Sequence, residues 1–351
     1  MAISVASPSD AEWNDSLATL PKAHVLQSWE WGDFKSQYGW QPTRRLWMDG
    51  EKARAATSIL TRQAARGLAS VTYVPKGPAL DYADEPLVAR VLADLEGAAR
   101  RARSLFVKID PDIEINTAEG AAATSILRRR GWHPSSEEIQ FRNTVCIDLT
   151  RSDDEMLAAM KPKCRYNIRL ASRKGVVVRL GSHADLGLLY HMYSETAARD
   201  GFVIRPESYY EDAWGGFVQA GLAQPLIAEV EGEPVAMVIV YCFAQRAWYM
   251  YGASRTIHRD KMPNHLLQWA AMQWAKEQGC TIYDMWGAPN QMVESDPLWG
   301  VYRFKQGFGG ELVEHIGAWD FPVSRLGYWV YTVMMPRVLA AMRRRYWRRE
   351  G

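Results

Sequence analysis

Apolar residues recur at three- and four-residue intervals in two stretches, PLVARVLADLEGAARRA from Pro86 and PNHLLQWAAMQWAKEQG from Pro263. That spacing predicts two amphipathic helices. Each carries its proline in the first turn, where the missing N–H costs no helical hydrogen bond. Short runs rich in β-branched and aromatic residues flank them and read as strands. SVTYVPKG around Tyr73 precedes the first helix and AWYMYGAS around Tyr249 precedes the second; LFVKIDP and CTIYDMW follow. Regular alternation in WYMYGAS places Tyr249 and Tyr251 on one face and Met250 on the other. RRRGW, ending at Trp132, and FKQGF, ending at Phe308, each contain a glycine that reads as a helix stop. A last strand follows in each case, EIQFRNTVCIDL and ELVEHIGAWDF.

Matching positions lie 176 or 177 residues apart, as Tyr73 and Tyr249 do. One unit of strand, strand, helix, strand, helix, strand therefore occurs twice, with extra material between the halves at about 150–222. A mixed sheet with helices on its faces is the economical arrangement. This order resembles the GNAT acyltransferase unit, and its tandem repetition resembles the FemABX family over roughly residues 10–325. The resemblance implies an α/β fold of two tandem GNAT-like domains, each a mixed sheet flanked by helices. The expected bounds are 1–148 for the first domain and 149–325 for the second, with a basic helical insertion at its start. Residues 326–351 form a basic aromatic tail.

Composition narrows the function classes. The 351 residues carry a net charge of only +2, so global electrostatics name no partner. Cys146, Cys164, Cys242 and Cys280 show no C-x-x-C spacing and read as free thiols of a reducing compartment. The N-terminus has no basic and apolar leader pattern, and no apolar run approaches the ~18–20 residues of a membrane span. A cytoplasmic protein is expected. An acyl-CoA enzyme needs glycines where the backbone wraps a pyrophosphate before the central helix. KGPALDYADEP and GASRTIHRDKMP lack such a run in both halves. There is no metal-ligand spacing, Walker loop or dinucleotide fingerprint, so neither a cofactor nor a metal is expected.

The segment MKPKCRYNIRLASRKG holds Lys161, Lys163, Arg165, Arg169, Arg173 and Lys174 with no acid. Arg165, Arg169 and Arg173 recur every four residues and form one helical stripe suited to phosphates of an RNA or a nucleotide-linked substrate. Five further motifs resemble the FemABX pattern, and the resemblance assigns their roles. In QSWEWGDFKSQYGW, Lys35 meets the diphosphate of a cell-wall precursor. In IRPESYY, Arg205 and Tyr209 contact the precursor, and in WYMYGAS Tyr251 does. In VYRFKQGFGG, Lys305 is needed for activity. In FVKIDPDI, Asp110 is a candidate base, with a turn residue as the alternative. Long helical arms that some relatives carry in the second half have no counterpart here.

The implied reaction is aminolysis. A stem-peptide amine of a muramyl-pentapeptide precursor, nucleotide-linked or lipid-linked, attacks the ester of an aminoacyl-tRNA. The expected partners are thus an aminoacyl-tRNA and a peptidoglycan precursor. An acyl-CoA-dependent N-acyltransferase is the runner-up. The tail carries six arginines after Pro336. It reads either as a helix packed on the first half or as peripheral contact with anionic lipid at the inner face of the membrane. Lys35, Arg205, Tyr209, Tyr251 and Lys305 are expected to converge on one groove.

Overall fold

The computed structural model describes residues 3–64, 67–335 and 337. Element order begins with β1 (Ser4–Ala6), α1 (Asp10–Ala18), α2 (Trp29–Ser36), β2 (Gln41–Asp49) and β3 (Lys52–Ala64). Next come β4 (Ala69–Val74), β5 (Ala79–Leu80), α3 (Glu85–Arg101), β6 (Ser104–Ile109), α4 (Ala118–Arg129) and β7 (His133–Pro134). The chain continues with β8 (Asn143–Asp148), α5 (Asp153–Ala159), α6 (Pro162–Arg173), β9 (Val176–Leu180), α7 (Leu186–Asp200) and α8 (Glu207–Gln219). It then forms β10 (Ala223–Val230), β11 (Glu233–Phe243), β12 (Arg246–Ser254), α9 (Pro263–Glu277), β13 (Ile282–Asp284), α10 (Trp299–Gln306) and β14 (Glu311–Glu314). Then come β15 (Trp319–Pro322) and α11 (Arg325–Trp329), which runs on into a π-helical turn over Val330–Met334.

The two amphipathic helices form as their spacing predicts. Leu87, Val88, Val91, Leu92 and Leu95 line the buried face of α3. Each such side chain contributes roughly 1.5–3 kcal/mol on burial. Asp84 caps the helix by accepting from the Leu87 amide at 3.1 Å. Pro86 and Pro263 both sit in first turns.

Two sheets result, with one order between them. The first runs β1-β2-β3-β4-β6-β15-β7, with β5 beside β3, and the second runs β9-β10-β11-β12-β13-β8-β14. Among the described residues, only the pair flanking the central helix is parallel in each, β4 with β6 and β12 with β13. The compact units are Met1–Gln140 with His315–Gly351, and Phe141–Glu314. This corrects the expected bounds of 1–148 and 149–325. β8 belongs to the second sheet, where Val145 and Ile147 enter its core. β15 belongs to the first, where Trp319 and Phe321 do the same. A strand's pattern fixes which face is buried but not which open edge it satisfies.

The stretch 150–222 is not all extra, because β9, α7 and α8 precede β10 as β1, α1 and α2 precede β2; only α5 and α6 lack counterparts. Gly131 is left-handed at φ +86 after α4, as a helix stop requires. Gly307 is right-handed at φ −60, and the turn is closed instead by Gly309 at φ +80.

Candidate functional site

In the second unit, the parallel pair β12 and β13 ends where the chain turns through Met285, Trp286 and Gly287. Trp286 adopts φ +57, which an L-residue adopts only when neighbours hold it there. Its amide donates to Asp284 Oδ1 at 2.8 Å. Asp284 is 1% exposed. Arg246 Nη2 donates to its Oδ2 at 2.6 Å, and the Thr144 hydroxyl donates to Oδ1. The carbonyls of Trp286 and Gly287 in turn accept from Lys305 Nζ, at 2.7 and 2.6 Å.

Lys305 lies in the last turn of α10 yet is 5% exposed, because its amine reaches into this turn and lies 5.8 Å from the centre of the Tyr249 ring. Burial pushes the ammonium down to about 7, against the pull of the Asp284 charge. A group divided between ammonium and amine near neutrality can take up or release a proton at little cost.

The two tyrosines of β12 do not share a face. Tyr249 is paired with Val240 and Tyr251 with Ile239, so Met250 is the extra residue of a β-bulge and alternation resets there. Tyr249 packs with the core under α9, beside Lys305. Tyr251 faces α7 and α8, with ring centres 6.0 Å from Tyr193, 6.1 Å from Tyr210 and 5.5 Å from Trp214. Tyr209 stands 5.5 Å from Tyr210, and the exposed Arg205 guanidinium lies 5.6 Å over the Tyr209 ring. Arg205, Tyr209 and Tyr251 thus border one aromatic cluster, while Lys305 belongs to the opposite face of β12.

The basic stripe is divided in its uses. Arg165 Nη1 donates to the carbonyls of Leu157, Ala158 and Met160, closing the C-terminal end of α5. Lys161 donates to Gln306 Oε1 at 2.7 Å. Lys163 and Arg169 are exposed. Exposed Arg173 lies 5.9 Å over the ring of exposed Tyr166. Arg169, Arg173 and Tyr166 rim a groove of about 890 Å³ floored by Leu266 and Trp269 of α9.

In the first unit, Lys35 Nζ sits over Trp31 and Phe34 at 4.7 and 5.0 Å on α2. Asp110 is 3% exposed. Its Oδ2 accepts from the Tyr73 hydroxyl at 2.7 Å and its Oδ1 from the Lys76 amide at 2.5 Å. Burial raises its carboxyl to about 7, opposed first by the Lys76 charge. The tail begins packed in this unit: Tyr328 donates to Asp320 Oδ2 at 2.9 Å, and Tyr328 and Tyr331 stack near Phe106 at 5.5 and 5.2 Å. Five of the tail's six arginines, Arg343, Arg344, Arg345, Arg348 and Arg349, lie outside the described residues.

Sequence reasoning missed Asp284, Arg246, Thr144 and Trp286. Asp284 had one local signal, a carboxylate ending an apolar strand. Its side-chain partners Arg246 and Thr144 come from two other strands, β12 and β8, and leave no spacing to read. Among the described residues, no group of three or more His, Cys, Asp or Glu could hold a metal ion. Nor is any helix among them long and apolar enough to cross a membrane.

The FemAB family model matches residues 9–231 and 218–335. A lipid II:glycine glycyltransferase of Staphylococcus epidermidis is 24% identical over 389 residues, spanning 92% of this chain and 93% of that protein. Among solved structures, FemX matches with a TM-score of 0.86 at 21% identity, over 93% of this chain and 98% of its own. A tandem GNAT protein from the clavulanic acid biosynthesis pathway matches at 0.57 and 12% identity, over 92% and 99%. These two structures bear out the fold of two GNAT-like units.

Proposed function

The chain belongs to the FemAB family, and from that premise we propose that it is an aminoacyltransferase acting on a peptidoglycan precursor, with aminoacyl-tRNA as donor. The relative's name specifies lipid II as acceptor, which favours the lipid-linked form here. The stem-peptide amine attacks the ester carbonyl, a C–N bond forms, and the C–O bond to the ribose breaks. The ribose oxygen leaves with a proton, and the attacking ammonium gives one up. The ester is already activated, so alignment of amine and carbonyl supplies much of the rate and no cofactor enters.

The observation that carries this reading is the buried Lys305 amine, held by two backbone carbonyls and poised near neutral pH. We assign Lys305 to receive the proton of the attacking ammonium. Asp110 serves instead to hold the 73–76 segment, because both its oxygens already accept from fixed donors. Arg205, Tyr209 and Tyr251 bind the precursor, and Lys35 offers a charge to its diphosphate. Lys161, Lys163, Arg169 and Arg173 meet tRNA phosphates. Arg165 supports them by fixing α5 against α6. The tail's arginines add peripheral contact with anionic lipid.

The test is mass spectrometry of lipid II after incubation with a mixed pool of charged tRNAs. A gain of one amino-acid residue, lost in Lys305→Met, is expected. No gain with charged tRNA, or the same gain driven by acyl-CoA alone, refutes the proposal.

A further inference from the structure

We propose that Asp284 is the positioning residue for the Lys305 amine, acting through the turn 284–287 whose two carbonyls hold that amine. The inference rests on the assignment of Lys305 above and adds what fixes it in place.

A lysine stem is flexible, and a carbonyl pair orients its amine only if the carbonyls themselves are fixed. Here the fixing is traceable atom by atom. Trp286 stands in a left-handed conformation that costs an L-residue roughly 1–2 kcal/mol. Its amide donates to Asp284 Oδ1, a side-chain restraint on the main chain at that position. That conformation directs the successive carbonyls of Trp286 and Gly287 to the same nitrogen. Behind Asp284 stand Arg246 at the start of β12 and Thr144 on β8, so the carboxylate is tied to both neighbouring strands. A Cβ at Gly287 would lie 3.0 Å from the exposed Phe141 ring, which would have to shift to admit it.

A carboxylate is costly to bury, and an asparagine could accept the Trp286 amide equally well. The charge therefore has a second consequence. Asp284 favours the ammonium form of Lys305, while Arg246, bonded to Asp284, screens that influence. Tyr249 from β12 also faces the amine; His265 of α9 packs on Phe304 and Phe308 instead.

Opposite signs make the test specific. In Asp284→Asn the turn keeps an acceptor but loses the charge, so the Lys305 titration midpoint should fall. In Arg246→Met the carboxylate loses its cation, so the midpoint should rise. The reading is NMR of enzyme labelled at lysine Cε, with the Lys305 signal identified by its absence in Lys305→Met. The acid limb of the kcat–pH profile should move in the same directions, with the KM for precursor unchanged. Midpoints that stay put in folded variants, or move the same way in both, overturn the proposal. Should Asp284→Asn not fold, the upward shift in Arg246→Met decides it. Full activity in Lys305→Met would remove the proton-transfer assignment, while the titrations would still decide the role of Asp284.

Discussion

Replacing Lys305 with methionine should flatten the dependence of stability on pH. The lysine has its ordinary value of 10.5 when unfolded and about 7 when folded. Between these values the unfolded chain binds more protons, so stability must rise with pH across that window. The difference of about 3.5 units, at ~1.36 kcal/mol each, corresponds to a penalty on the folded state of about 5 kcal/mol below pH 7, which vanishes by pH 10.5. From pH 7 to 9 the wild type should therefore gain about 2 kcal/mol over the variant. Methionine fills similar space and does not titrate. It leaves the Trp286 and Gly287 carbonyls without their donor, a cost of roughly 1–3 kcal/mol each that does not change with pH. Urea unfolding of both proteins at pH 7, 8 and 9 isolates the lysine, since other titrating groups cancel in the difference. Parallel curves would mean that Lys305 is not a buried, depressed amine, and the proton-transfer argument would lose its basis.

Arg165→Ala should cost about 1–3 kcal/mol in urea unfolding, because three carbonyls at the end of α5 lose one shared donor. Arg205→Lys should raise the KM for precursor several-fold with kcat nearly unchanged in steady-state assays, since a point charge cannot replace a planar fork. Truncation after residue 337 should weaken sedimentation with anionic liposomes. Truncation after residue 324 should in addition lower the melting temperature, by removing Tyr328 and Tyr331 from Phe106.

The parts of the fold legible in the sequence are those set by near neighbours. The helical periodicity of α3 and α9, their first-turn prolines and the 176-residue spacing all depend on residues close along the chain. That Arg205 and Tyr209 lie side by side was legible because one helix start carries both. Non-local pairing was not legible. The bulge at Met250 exists because β11 pairs on either side of it, and one unpaired residue moves Tyr251 to the other face of the sheet. The double duty of Arg165 was hidden for the same reason, since a stripe on a helical wheel does not reveal which arginine caps a neighbouring helix. Lys305 was found as a motif residue. Its burial, and the Asp284 turn beneath it, depend on strands brought together from residues 144, 246 and 284.

The exchanged strands also set the order in which the molecule can be finished on the ribosome. The second sheet takes β8 from upstream, so all its strands exist once Glu314 has been made. The first sheet must wait for β15, and the edge of β6 has no partner while the chain from Ile109 to Trp319 is synthesised. At about 5–20 residues per second that delay is on the order of 10–40 s. The N-terminal unit, although translated first, is therefore completed last. During that interval its open edge is where the nascent protein is most exposed to mispairing and has most need of a chaperone.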